Sequence, residues 1–226
     1  MTGSFVSPAT RQRVRDLATP IATALGRLGL TPNALTLIGF VGTCVGAVAA
    51  ANQWWLSAGI LVLAFGIFDL FDGTLARATG QATKLGAFLD STFDRAGESI
   101  VYIGVAIGLL AAGFREGAIL AAAAMGAAFM VSYTRAKSES LGFTPGNGMA
   151  SVGLMPREVR LVILSLGLIL ATEPIYAVPP PGAACAGVCD FPQGGTVTLA
   201  LFLIAAGSVI TTIQRILHVR AQAREG

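Results

Sequence analysis

The chain has 226 residues, of which 54% are hydrophobic and only 12% charged, with formal net charge +3 and mean hydropathy +0.72. An average soluble domain carries about twice that charge fraction, so a water-soluble globule is excluded. The composition is that of an all-α integral membrane protein, and no nucleic-acid partner is expected.

Residues 8–28 place Val14, Leu17, Ala18, Ile21, Leu25 and Leu28 at helical spacing, with Arg11, Arg13, Arg15 and Arg27 on other faces. That pattern predicts an N-terminal amphipathic helix lying on an anionic membrane surface. Thr31 and Pro32 then predict a helix start, with Thr31 as N-cap and Pro32 in the first turn.

Six apolar runs approach or exceed the ~20 residues that a helix needs to cross hydrocarbon. They are Asn33–Ala51, Trp54–Leu75, Leu85–Ala112, Gly117–Thr134, Arg157–Val178 and Thr196–Ile213. The fifth is the weakest, since its uninterrupted apolar stretch covers only Leu161 to Ala171. No cleavable leader is expected, because the first long apolar run lies far from Met1 and continues as a full span. The expected organisation is a juxtamembrane helix over 1–30, a six-helix transmembrane catalytic domain over 31–216 and a tail over 217–226. With six crossings both termini share one side, and every Lys and Arg of the 15 except Arg115 falls on it. The positive-inside rule makes that side cytoplasmic, which predicts a multi-pass protein of the inner (plasma) membrane.

Cys44 lies within a span and reads as a small packed hydrophobe. Cys185 and Cys189 fall in the outward-facing fifth loop, where a disulfide forms only if the loop folds back on itself.

The stretch from Asp69 to Asp94 carries the chemistry. Asp69 and Asp72 are three apart on the second helix, and Asp90 and Asp94 are four apart on the third, so each pair shares a face. The short polar link between makes the helices antiparallel neighbours, so four carboxylates converge near the cytoplasmic ends. Such a cluster repels itself and is costly to desolvate. A hard divalent cation, completing its shell with water and substrate phosphate, is the natural balance. One such aspartate alone reads as an interfacial charge paired with Arg77, Lys84 or Arg95; four around one turn do not. Gly73, Ala76 and Gly86 leave room for a phosphate chain near the backbone, or allow tight helix packing, and Arg77 stands ready for phosphate oxygens. A proton relay in a transporter is the reading from another class, but such sites usually sit near the midplane on broken helices, whereas these carboxylates lie near one face.

The spaced pattern Asp69-x2-Asp72-Gly73-x2-Ala76-Arg77-x8-Gly86-x3-Asp90-x3-Asp94 resembles the signature of the CDP-alcohol phosphotransferases. The resemblance implies a six-helix membrane enzyme, commonly a homodimer, that moves a substituted phosphate from a CDP-alcohol to a second alcohol and releases CMP. It implies that Asp69, Asp72 and Asp90 hold one or two Mg²⁺ or Mn²⁺ ions, with Asp94 at or beside them. Asp69, Asp72, Gly73, Ala76, Arg77 and Gly86 are then expected to line the CDP site. The incoming hydroxyl needs a base, and Asp94 is the expected one.

Five cations gather at the cytoplasmic ends of the last three helices: Arg135, Lys137, Arg157, Arg160 and Arg215. Beyond ordinary positive-inside decoration, they are suited to grasp a phosphorylated acceptor. The SYTRAKSE and SVITTIQR segments, with LATPIATALGRLGLTPNALT near the N-terminus, resemble the bacterial phosphatidylinositol-phosphate synthase branch of that family. That likeness implies CDP-diacylglycerol as donor, taken from the membrane lipids, and inositol 1-phosphate as acceptor. Glycerol 3-phosphate as acceptor, or an archaeal-type lipid donor, stays open. The fourth-helix motif has Arg and Lys in reversed order, and the acidic-Arg-Pro lead-in to the fifth helix is missing.

Overall fold

The computed structural model describes residues 19–143, 152–171 and 195–225, the side chains of Asp69, Leu70 and Glu225 excepted. Six helices follow in order: α1 (Pro32–Ala51), α2 (Trp55–Ala78), α3 (Lys84–Ala111), α4 (Arg115–Ser140), α5 (Arg157–Ile169) and α6 (Gly195–Glu225). A further helical stretch covers residues 19–27, the end of the expected amphipathic helix; its earlier part lies outside the described residues, as do Cys185 and Cys189.

Four of these helices, α1, α2, α4 and α6, are long and apolar enough to cross a membrane. The 28-residue α3 carries Asp90, Asp94, Arg95 and Glu98 in its first half, which lowers its apolarity. The described α5 has 13 residues and ends at Ile169, capped by Leu170, rather than continuing toward Val178. At 1.5 Å per residue it covers ~20 Å. Helices α4 and α6 instead outrun their apolar stretches, to Ser140 and Glu225. An apolar run marks what sits in hydrocarbon, whereas backbone hydrogen bonding continues into the polar zone.

Local chemistry sets the turns near the site. Thr31 accepts from the Ala34 amide at 3.2 Å with Pro32 just inside α1, as the sequence predicts. Thr83 caps α3 by accepting from the Gly86 amide at 3.0 Å. Between α2 and α3, Gly80 takes φ +69°, a conformation cheap only without a Cβ, and the chain reverses within five residues.

Helix α1 packs on α2 and α3, α4 packs on α3 and α6, and α5 joins α2 to α6. Among the described residues α2 and α3, expected as neighbours, do not pack on each other but are bridged by α1. The main core gathers Tyr102, Val105 and Leu109 of α3, Ala121 and Ala124 of α4, Leu164 and Leu168 of α5, and Leu201 and Ile204 of α6. A second cluster, Ala22, Leu35 and Leu75, docks the 19–27 stretch on the ends of α1 and α2. The large exposed residues are apolar along the helices, Val41, Val45, Ile103, Phe202 and Ile210 among them. That is the surface expected of a bundle whose solvent is lipid.

Candidate functional site

Two cavities lined in part by charged side chains open at the ends of the helices where the charged residues lie. The first, about 180 Å³, is walled by Pro32, Asn33 and Thr36 of α1, then by Asp72, Gly73, Ala76 and Arg77 of α2. The link residues Gln81, Ala82 and Thr83 close one side, and Gly86, Ala87 and Asp90 of α3 complete it. Five residues expected at a nucleotide, Asp72, Gly73, Ala76, Arg77 and Gly86, therefore share one cavity with Asp90. Asp69 lies on α2 three residues before Asp72, but its side chain is outside the described residues.

The glycines have local reasons. A Cβ on Gly73 would stand 3.4 Å from Arg77 Nη1, and one on Gly86 would stand 3.1 Å from Thr83 Oγ1 and 3.2 Å from Asn33 Oδ1. A side chain at either place would fill the cavity and press on its polar groups. Arg77 is steered by Thr74, whose hydroxyl accepts from Nη2 at 3.4 Å. Asp72 is buried and takes a short hydrogen bond from the Thr36 hydroxyl, so α1 supplies part of this site. Sequence reasoning missed Asn33 and Thr36; the only signal was their place one turn inside a capped helix start.

The second cavity, about 150 Å³, is basic: Arg95, Arg135, Arg157, Arg160 and Arg215 line it with Asp94, Glu158 and Ser132. Lys137 is exposed on α4 and is not among the lining residues. The arginines are not equivalent. Arg160 is buried and grips Glu98 with two bonds, Nε–Oε1 at 2.7 Å and Nη2–Oε2 at 2.8 Å, while Nη1 donates to the Met155 carbonyl at 2.9 Å. Arg215, also buried, donates from Nε to the Val152 carbonyl at 3.1 Å and from Nη1 to the Val131 carbonyl. Arg135 pairs with Glu139 at 2.9 Å on the exposed side of α4. Arg157 reaches Asp94, Nη2 to Oδ1, at 2.8 Å. Glu98 carries no feature that marks it in the sequence, yet it fixes the most deeply buried arginine.

Asp94 links the two cavities. It does not line the first, but with Thr36, Gly39 and Arg157 it borders a small pocket of about 30 Å³, and with Arg157 it borders the basic cavity. Thr36 belongs to both the small pocket and the first cavity. The arrangement sets a cavity with two carboxylates, Asp72 and Asp90, beside one lined by arginines, with Asp94 at the small pocket between them. Among the described residues, no three His, Cys, Asp or Glu side chains stand close enough to hold an ion. Asp72 and Asp90 facing one cavity nevertheless give the hard oxygen donors that suit magnesium or manganese.

Comparison with known proteins shows the family. A phosphatidylinositol phosphate synthase of Streptomyces avermitilis is 34% identical over 214 residues, covering 92% of this chain and 79% of the relative. An archaetidylinositol phosphate synthase of Pyrococcus horikoshii is 30% identical, covering 96% of this chain and 97% of the relative. The crystal structure of Mycobacterium tuberculosis phosphatidylinositol phosphate synthase with CDP-DAG bound superposes with a TM-score of 0.71 at 30% identity, covering 90% of this chain and 94% of that one. The same enzyme in complex with manganese and citrate also gives a TM-score of 0.71. The CDP-alcohol phosphatidyltransferase model matches residues 29–218, a span that holds both cavities and every site residue expected above, and the chain belongs to that family.

Proposed function

We propose that this enzyme transfers the phosphatidyl group of CDP-diacylglycerol to a hydroxyl of inositol 1-phosphate, giving phosphatidylinositol phosphate and CMP. The observation that carries the proposal is a cavity with two carboxylates and a basic cavity, joined by a small pocket that Thr36, Asp94 and Arg157 line. A relative that binds CDP-DAG and relatives that make phosphatidylinositol phosphate support the choice of donor and acceptor.

In this reading the first cavity takes the CDP moiety. Gly73, Ala76 and Gly86 keep space for the diphosphate beside the backbone, and Arg77 neutralises its oxygens. Asp69, Asp72 and Asp90 would hold one or two Mg²⁺ or Mn²⁺ ions, with Asp94 at or beside them; a relative's complex with manganese is in keeping with this. When bound, the cation offsets charge on the diphosphate and on the departing CMP. The basic cavity takes the acceptor phosphate, with Arg135 and Arg157 facing it and Arg160 and Arg215 forming its buried wall. Lys137, exposed nearby, draws the anion in. Asp94 accepts the proton of the attacking hydroxyl. The acceptor oxygen bonds to the phosphatidyl phosphorus as the bond from that phosphorus to CMP breaks, and CMP leaves with the electron pair.

The same reading makes all six helices spans, with α3 and α5 completing the bundle, and gives both termini and the site to the cytoplasmic side of the inner (plasma) membrane. Residues 1–30 form the interfacial helix, residues 31–216 the catalytic domain and residues 217–226 the tail, and two copies form a homodimer. A donor placed there keeps its acyl chains among membrane lipids while its head meets cytosolic acceptor, so no translocation is needed.

The test supplies radiolabelled CDP-diacylglycerol and Mg²⁺ to the purified protein and compares inositol 1-phosphate, glycerol 3-phosphate, free inositol and serine as acceptors. CMP release dependent on both metal and inositol 1-phosphate is expected. Release with glycerol 3-phosphate alone would reassign the acceptor, and release with none would end the transferase reading. A CDP-archaeol arm is included because the Pyrococcus horikoshii relative is an archaetidylinositol phosphate synthase.

A further inference from the structure

The connector over residues 152–155 that leads into α5 belongs to no helix, and among the described residues side chains hold its backbone. The Leu154 and Met155 amides both donate to Thr211 Oγ1 of α6, at 3.0 and 2.9 Å. Arg215 holds the Val152 carbonyl at 3.1 Å, and Arg160 holds the Met155 carbonyl at 2.9 Å. Thr211 is fully buried, and its hydroxyl donates to the Gly207 carbonyl at 2.8 Å. One donor and two acceptor positions are all that a hydroxyl has, and each is in use.

The steric fit agrees with the hydrogen bonding. Gly153 takes φ +120°, and a Cβ there would overlap the Thr211 methyl. Met155 lies over Gly207, where a Cβ would stand 2.5 Å from Met155 Cγ. Immediately after the connector, Pro156 is the N-cap of α5 and makes no side-chain capping bond. The first turn of α5, with Arg157 and Arg160, therefore takes its position from the clamp on residues 152–155.

We propose that Thr211 is a positioning residue for the acceptor-phosphate site: by holding the two connector amides it sets where α5 presents Arg157 in the basic cavity. The inference rests on the reading of that cavity as the acceptor site. Thr211 touches no substrate; it acts through the connector backbone. Loss of its hydroxyl leaves two part-buried N–H groups without their acceptor, and the strain falls on the acceptor side while the CDP cavity, built from α1, α2 and α3, keeps its walls.

The test uses the full-length enzyme with CDP-diacylglycerol, Mg²⁺ and inositol 1-phosphate, and compares Thr211→Val with Thr211→Ser. Valine keeps the shape and the methyl; serine keeps the hydroxyl. Thr211→Val is expected to raise KM for inositol 1-phosphate about tenfold or more, the equivalent of one or two lost hydrogen bonds, with KM for the donor changed by less than about twofold. Thr211→Ser is expected to restore most of the loss. An unchanged acceptor KM in Thr211→Val, equal rises in both KM values, or a serine variant as impaired as the valine one would overturn the proposal. If Thr211→Val does not fold, Gly153→Ala strikes the same clamp from the other side, and a folded Gly153→Ala enzyme with unaltered acceptor KM overturns it as well. Arg135→Ala is run beside them. If it raises acceptor KM while Thr211→Val does not, only the positioning role fails; if it leaves acceptor KM unchanged, the acceptor-site reading falls and the proposal with it.

Discussion

Arg157 of α5 and Asp94 of α3 meet at 2.8 Å, Nη2 to Oδ1, with side-chain exposures of 29% and 16%. The pair stands where the basic cavity and the small pocket beside the Asp72–Asp90 cavity share a border. An arginine so placed holds the carboxylate in position at the edge of the basic cavity.

Arg157→Ala is expected to lower kcat/KM by about a hundredfold, through loss of both a phosphate contact and the orientation of Asp94. Arg157→Lys keeps the charge without the paired donors and is expected to fall between. Steady-state rates against inositol 1-phosphate check both, and a wild-type rate in Arg157→Ala would remove Arg157 from the site.

The first part of the fold was open to reading from sequence because membrane helices announce themselves by apolar length, and because Thr31 and Pro32 punctuate locally. The spacing of Asp72, Gly73, Ala76, Arg77, Gly86 and Asp90 was equally open, since one turn joins the helices that carry them. What stayed hidden lies far apart in the chain. Thr36 meets Asp72 across 36 residues, and Glu98 meets Arg160 across 62. No periodicity encodes such pairs; they follow from how helices cross. Arg160 and Arg215 looked like free cations for the same reason, whereas much of each guanidinium is spent on protein groups.

Thr36→Val is expected to act on the donor side. Removing the hydroxyl takes one hydrogen bond from the buried Asp72 carboxylate, a loss of ~1–3 kcal/mol at that group. KM for CDP-diacylglycerol should rise several-fold or more while acceptor KM stays near its wild-type value. Thr36→Ser should behave as wild type. Initial-rate kinetics with each substrate varied in turn separates the two effects.

The Glu98–Arg160 pair makes a prediction about stability distinct from activity. Arg160 is 1% exposed and bidentate to Glu98. Arg160→Met alone strands the carboxylate and is expected to destabilise by ~3–5 kcal/mol, whereas Glu98→Met with Arg160→Met removes both charges and is expected to recover most of that. Thermal unfolding in detergent reads the recovery. The double variant should still bind inositol 1-phosphate poorly, because Arg160 also walls the basic cavity and holds the Met155 carbonyl.

The last prediction concerns what sets the two halves of the Asp72–Asp90 cavity at the right height. Helix α3 crosses α1 through Gly97, Gly104 and Gly108; a Cβ on Gly104 would overlap the Ala47 carbonyl oxygen, and one on Gly108 the Ala50 carbonyl oxygen. Such close approach is how membrane helices gain packing energy without a hydrophobic drive between them. Backbone carbonyls, unlike flexible side-chain ends, cannot swing aside, so Gly104→Ala or Gly108→Ala is expected to cost ~1–3 kcal/mol. Because α1 carries Thr36 and α3 carries Asp90, a forced separation also widens the cavity between them, and donor KM should rise with the loss of stability. Gly126 of α4 faces open space, so Gly126→Ala should be neutral or stabilising by up to ~1 kcal/mol. Thermal unfolding of the three variants side by side makes the comparison. Equal melting temperatures would mean that the α1–α3 crossing has slack to give, and that the height of the carboxylates is set by the α2–α3 turn instead.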